Sequence, residues 1–176
     1  MPGDTWRNPH NPPVPLQGHP DAADVANEAP TTDQTRIFVT VDAGAKIDKN
    51  NYAYNCLGWV CFKGPAPYRE GGEPDFEDVD TLPEVTEILT RNGYVACPAA
   101  EATCIVTGKG PYNIGHVYAK WEGLADVTDV GWLAAWGAVD WWESRLGPAG
   151  VTIIHERDAL TGNIFYSNKL AYFKPQ

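Results

Sequence analysis

Basic residues are scarce in this 176-residue chain: 13 Lys and Arg stand against 23 Asp and Glu, a formal net charge of −10. They form no run, whereas a general nucleic-acid binder needs a basic face to neutralise phosphates, so nucleic acid is not an expected partner. No apolar stretch reaches the roughly 18 residues of a membrane span, and no membrane partner is expected. The first residues lack a basic region followed by an apolar one, the pattern of a secretory leader. Cysteine is confined to Cys56, Cys61, Cys97 and Cys104, whose spacings fit no common zinc module and have no histidine near them in sequence. They read as buried thiols, with a disulfide or a metal site as the other readings; Cys97 and Cys104 flank an expected turn.

Catalytic signatures are missing as well. There is no Gly-x-Ser-x-Gly elbow, no His-Glu-x-x-His, no phosphate loop and no dinucleotide fingerprint. Gly108-Lys109-Gly110 is too short to cradle a phosphate and reads as a turn. His155-Glu156-Arg157-Asp158 is dense in titratable groups, but on a strand they alternate between faces, so a solvated strand end is expected. The acidic run Asp75, Glu77, Asp78 and Asp80 lacks the glycine and final glutamate of a helix-loop-helix calcium site. No catalytic, cofactor-binding or metal-binding residue is assigned, and a non-enzymatic role is expected.

Proline and aromatic residues, by contrast, are plentiful. Seven of the 15 prolines fall within residues 1–35, where the large apolar residues Trp6, Val14, Leu16 and Val25 show no period. Ordering a backbone costs about 1–2 kcal/mol per residue, which so few apolar groups do not offset. Residues 1–35 are therefore expected to be an extended assembly arm shaped by other chains. Residues 36–176, about 140 in all, suit a single domain with its own core. Seven Trp and eight Tyr favour large buried contacts in cores and interfaces.

Within that domain, Arg36–Asp42 and Tyr52–Phe62 read as strands, with a turn-rich loop between them. Gly64–Pro83 is rich in glycine, proline and acids and reads as a long solvated loop. Pro83–Arg91 reads as a short helix, and Gly93–Val106 and Asn113–Trp121 as strands. Asp129–Arg145 reads as the one late helix, capped by Thr128 or Asp129 and stopped by Gly147-Pro148. It is apolar nearly all round: Val130, Ala134, Ala138, Trp141 and Trp142 lie opposite Asp129, Asp140, Glu143 and Ser144, and Leu133 and Trp136 fall among the latter. Val151–Asp158 and Ile164–Phe173 read as a closing hairpin. The class is α+β, mostly β: a β-sandwich-like domain with one late helix and an N-terminal arm.

Two families are similar in part. Ile37–Asp42 resembles the first strand of ribonuclease H-like nucleases, and Asp129–Arg145 followed by Val151–Asp158 resembles their helix and later strand. That resemblance implies a two-metal carboxylate site with Asp42 and Glu156 or Asp158, but the helix has no glutamate where the family needs one and Asp140 lies far down it. The element order over most of the chain resembles the tail-tube-type domain of long-tailed bacteriophages: arm (1–35), long loop (Gly64–Pro83), strand and helix (His116–Trp121, Asp129–Arg145) and hairpin (Val151–Phe173). The chain departs from it in ending soon after the hairpin, which keeps a capsid decoration protein beside it. The resemblance implies a structural protein of the virion, whose partners are copies of itself and other virion proteins. Contact residues would be Trp6, Pro12, Pro13, Val14 and Leu16 on the arm and Leu133 and Trp136 on the helix. An acidic binding module for a partner or a glycan is the third class.

Overall fold

In the computed structural model the described residues are 14–20, 22–30, 33–40, 56–62, 79–121, 140–146 and 152–176. Eight strands run among them: β1 (Val14–Pro15), β2 (Phe38–Thr40), β3 (Tyr94–Ala96), β4 (Cys104–Gly110), β5 (Asn113–Lys120), β6 (Trp141–Arg145), β7 (Thr152–Glu156) and β8 (Lys169–Pro175). They join one sheet in the order β1-β2-β7-β6-β5-β4-β8-β3, with every pairing antiparallel. The helices are α1 (Ala22–Glu28), α2 (Cys56–Phe62), α3 (Leu82–Arg91) and α4 (Ile164–Ser167). The α+β, mostly β class is what the fold shows.

Side chains alternate between the two faces of a strand, so the register sorts the core. On one face Val106, Val117, Ala119 and Phe173 pack with Leu57 and Val60 of α2 and with Val85, Ile88 and Leu89 of α3. On the other, Val39 and Ile153 pack with Leu16, Val25 and Ala29 near the N-terminus and with Leu160 and Tyr166 near the C-terminus. Both faces of the sheet are thus covered.

The expected helix Pro83–Arg91 is present as α3, and its start is built by side chains. The Thr81 hydroxyl accepts from the Glu84 N–H at 3.4 Å and donates to the Glu84 carboxylate at 2.6 Å, a reciprocal cap with Pro83 in the first turn. The chain leaves α3 through Asn92 and then Gly93, whose φ of +87° is the left-handed conformation that ends helices.

Four expectations are corrected. Over Cys56–Phe62 the predicted strand is the helix α2, because Cys56, Leu57, Val60 and Cys61 recur at helical spacing and meet one apolar cluster. At the end of the predicted late helix, Trp141–Arg145 is instead β6, buried on both faces between β5 and β7. The sequence Trp-Trp-Glu-Ser-Arg does not alternate between apolar and polar residues, because both of its faces are buried, so it carries no strand period. Residues 131–139, with Leu133 and Trp136, lie outside the described residues. The predicted terminal hairpin is absent, since α4 intervenes and β8 pairs with β3 and β4 on the far side of the sheet from β7. Asn163 starts α4 by accepting the Phe165 N–H at 3.0 Å. Finally, the arm expected over 1–35 is folded onto the body in its described part. Val14 and Pro15 pair with β2, and Leu16, Val25 and Ala29 are buried.

Two substitutions follow from this packing. Leu16→Ala removes a fully buried side chain and is expected to cost about 2–5 kcal/mol in denaturant unfolding, where a free arm residue would cost almost nothing. Gly115→Ala sets a methyl group against Phe165, whose backbone oxygen lies 2.6 Å from the added carbon, and is expected to lose about 1–3 kcal/mol in the same assay.

Candidate functional site

Polar side chains concentrate where they cost most, on the central strands. Thr107, His116, Glu143, Ser144, Arg145, Thr152 and His155 are all buried. Charged residues are rarely shut away completely, so such a strip is the first place to look for chemistry. The register divides it. Thr107 pairs with His116 and Trp142 with His155, which places Thr107, His116, Tyr118, Trp142, Ser144 and His155 on the face covered by α4 and the N-terminal segment. Glu143, Arg145 and Thr152 occupy the opposite face.

His155 is held at both ring nitrogens. Its Nδ1 donates to the backbone carbonyl of its neighbour Glu156 at 2.6 Å, so its Nε2 accepts from the Ser144 hydroxyl at 2.7 Å. This is the nucleophile–base half of a hydrolytic triad, with a carbonyl where a carboxylate would stand. Both residues are fully buried, however, so the Ser144 hydroxyl is closed to solvent. The pair satisfies a polar core. Burial holds the His155 pKa down to about 4, against a smaller opposing effect of its bond to Glu156.

His116 lies against Tyr166 (ring centroids 4.8 Å apart) and Tyr118 (5.8 Å), and its Nε2 has no hydrogen-bond partner among the described residues. Burial lowers its pKa to about 3, with a further contribution from His155. Tyr118 also meets Trp142 and His155 edge-on at 5.5 Å, and its hydroxyl bonds to the Arg157 carbonyl. Burial, chiefly, pushes the Tyr118 phenol up.

Cys56 opens α2 and brings its thiol to the backbone of Val117, one residue from His116. Val117 faces α2 while His116 faces α4, so the sheet separates thiol from imidazole. Burial raises the Cys56 pKa, the reverse of an activated nucleophile. All four cysteines are free thiols, and only Cys104 is fully buried.

At the end of β7 the surface opens into a depression of about 500 Å³ lined by Asp140, Glu156, Arg157, Asp158 and Ala159. Each carboxylate there has a cation: Glu156 pairs with Arg36, Asp140 with Lys120 at 3.3 Å and Asp158 with Lys169 at 2.5 Å. The Arg157 guanidinium lies over the rings of Trp142 and Tyr172. The carboxylates of the depression are therefore all paired, and the described residues contain no cluster of three or more ligating side chains suited to a metal ion. An acidic module must look instead to the run Glu70–Glu84, of which only residues 79–84 are described.

Of the carboxylates of the nuclease resemblance, Asp42 lies outside the described residues. In the antiparallel pairing of β2 with β7, Thr40 faces Thr152 and Phe38 faces Ile154, so Glu156 lies at the Arg36 end of β2. Among the expected contact residues, Val14 is half-buried on β1 and Leu16 is fully buried within its own core. Trp6, Pro12, Pro13, Leu133 and Trp136 lie outside the described residues.

The solvated strand end expected at His155 is a buried imidazole. The Ser144–His155 pair was hidden because Ser144 read as helical, and only the strand register brings the two together. No protein-family model, no curated protein and no solved structure matches the chain. Ser144→Ala leaves a buried ring nitrogen without its partner and is expected to cost about 1–3 kcal/mol in chemical denaturation, with the fold retained by circular dichroism.

Proposed function

We propose that the chain is a non-enzymatic building block of a larger particle, of the bacteriophage virion kind, which joins copies of itself and other particle proteins through its first residues. The observation that carries this reading is the place of β1 at the edge of the sheet. Residues 1–13, with Pro2, Pro9, Pro12, Pro13 and Trp6, precede that edge strand in the sequence. Proline fixes φ in advance, so such a segment loses less entropy when it docks on a neighbour. The arm proposed here is accordingly shorter than residues 1–35, and its contact residues are Trp6, Pro12 and Pro13.

Two other features support a role carried by surface contact. The buried Ser144 and His155 are closed to solvent, and the carboxylates of the surface depression are engaged in ion pairs. Tyr112 in the β4–β5 turn is 81% exposed, and Ile164, which opens α4 beside the same hairpin, is 49% exposed. Large apolar side chains in such positions suit repeated weak contacts, which symmetry multiplies into a stable assembly.

The test is truncation. The chain lacking residues 1–13 is expected to unfold at the same denaturant concentration as the full chain, because β1 and Leu16 remain. It is expected to stay monomeric in light scattering under conditions where the full chain forms oligomers visible by electron microscopy. Equal assembly of the two chains, or a full-length chain that stays monomeric at every concentration, overturns the proposal.

A further inference from the structure

The two buried imidazoles lie on one face of the sheet, and the layers on the two faces differ in what acid does to them. On the face covered by α2 and α3 the cluster consists of aliphatic and aromatic side chains and thiols. On the face covered by α1, α4 and residues 14–20, His116 and His155 flank Tyr118, with ring centroids 5.8 and 5.5 Å away. His116 touches Tyr166 of α4, and Tyr166 belongs to the same cluster as Leu16, Val25 and Ala29. We infer that this face is an acid-released layer: when His116 and His155 take up protons, α1, α4 and the N-terminal segment detach from the sheet while α2 and α3 remain packed.

The surroundings explain why a proton is not tolerated there. The groups facing His116 are Thr107 of β4, Tyr118 of β5, Tyr166 of α4 and His155 itself, the last of like charge once protonated. Those facing His155 are Ser144 of β6, Tyr118 and the backbone carbonyl of Glu156. Asp158 and Arg157 act on Tyr118 and not on the rings, and Glu143 and Arg145 project from the opposite face. The N-terminal layer offers Leu16, Val25 and Ala29 inward, with Asp24 exposed on α1. Two imidazolium ions would then share a buried volume with no facing carboxylate among the described residues, and an unpaired buried charge is costly.

The sign follows from the lowered values. Both rings are neutral in the folded layer and titrate near 6.5 when released, so the layer's stability is full above pH 6.5 and falls as the pH drops toward 4. Between pH 7 and pH 5 each histidine shifts the closed-to-open ratio by roughly 20-fold.

The experiment is amide hydrogen exchange on the full chain at pH 7 and pH 5, corrected for intrinsic rates, with ring-proton NMR of the histidines. Amides of α1 and α4 are expected to lose protection at pH 5 by at least about 20-fold relative to those of α3, and to regain it on return to pH 7. Parallel loss in α3, or no loss in α1 and α4, overturns the inference. So does titration of both rings near their ordinary value with protection unchanged. The double variant H116Q/H155Q is expected to keep α1 and α4 protected at pH 5; selective loss in a folded double variant also overturns it. If that variant does not fold, the wild-type exchange and NMR measurements decide.

Discussion

Burial of both faces of the central strand β6 is the constraint from which the rest of the structure follows. A strand in the middle of an antiparallel sheet satisfies its backbone through two neighbours, here β5 and β7, and must then cover two rows of side chains. On one side Trp142 packs with Ala102, Ile105 and Tyr118, and Ile153 of β7, paired with Ser144, lies under the N-terminal segment and Tyr166 of α4. Ala119 of β5, opposite Glu143 across the ladder, lies under α2. Without either layer, Ile153 would meet water on one face, or Val117 and Ala119 on the other. The N-terminal segment is thus part of the core because the sheet has a second face to close.

That constraint also accounts for the polar strip. A strand flanked by two layers cannot place a hydroxyl, an imidazole or a guanidinium in solvent, and leaving one unpartnered there is costly. Ser144 and His155 find each other across the ladder, and the carbonyl of Glu156 fixes which ring nitrogen carries the proton. A buried hydrogen-bonded pair of this kind specifies register: a slip of β6 by one residue would bring Glu143 or Arg145 to His155 and leave both rows mismatched. The same enclosure that strengthens the hydrogen bond also shuts Ser144 and His155 away from solvent.

Surface charge tells a consistent story. Arg36–Glu156, Lys120–Asp140, Lys169–Asp158 and Lys174–Glu101 each link residues from different elements. They are exposed or half-exposed, and pairs of this kind contribute about 0–1 kcal/mol apiece. Their importance is positional: they dress the rim of the sheet and engage the carboxylates of the depression at the end of β7. The remaining excess of acid in the chain is concentrated elsewhere, in the run Glu70–Glu84.

Local chemistry by itself determined α3, whose Thr81, Pro83 and Glu84 act within one turn, and the strand β5, whereas the strand read over Gly93–Val106 divides into β3 and the start of β4, and the turn read at Gly108–Gly110 lies within β4. The mostly β class was equally legible, since it sums such local preferences. Only tertiary structure decided that Trp141–Arg145 extends as a strand, because a segment buried on both faces shows no alternation of apolar and polar residues to mark it as one. Tertiary contact also made a helix of Cys56–Phe62 and brought β8 to β4, since pairing partners far apart in sequence leave no mark on either segment alone. The N-terminal residues 1–35 looked too poor in apolar groups to order themselves. Leu16, Val25 and Ala29 gain their burial from a sheet face that other parts of the chain build, a contribution no reading of the segment itself contains.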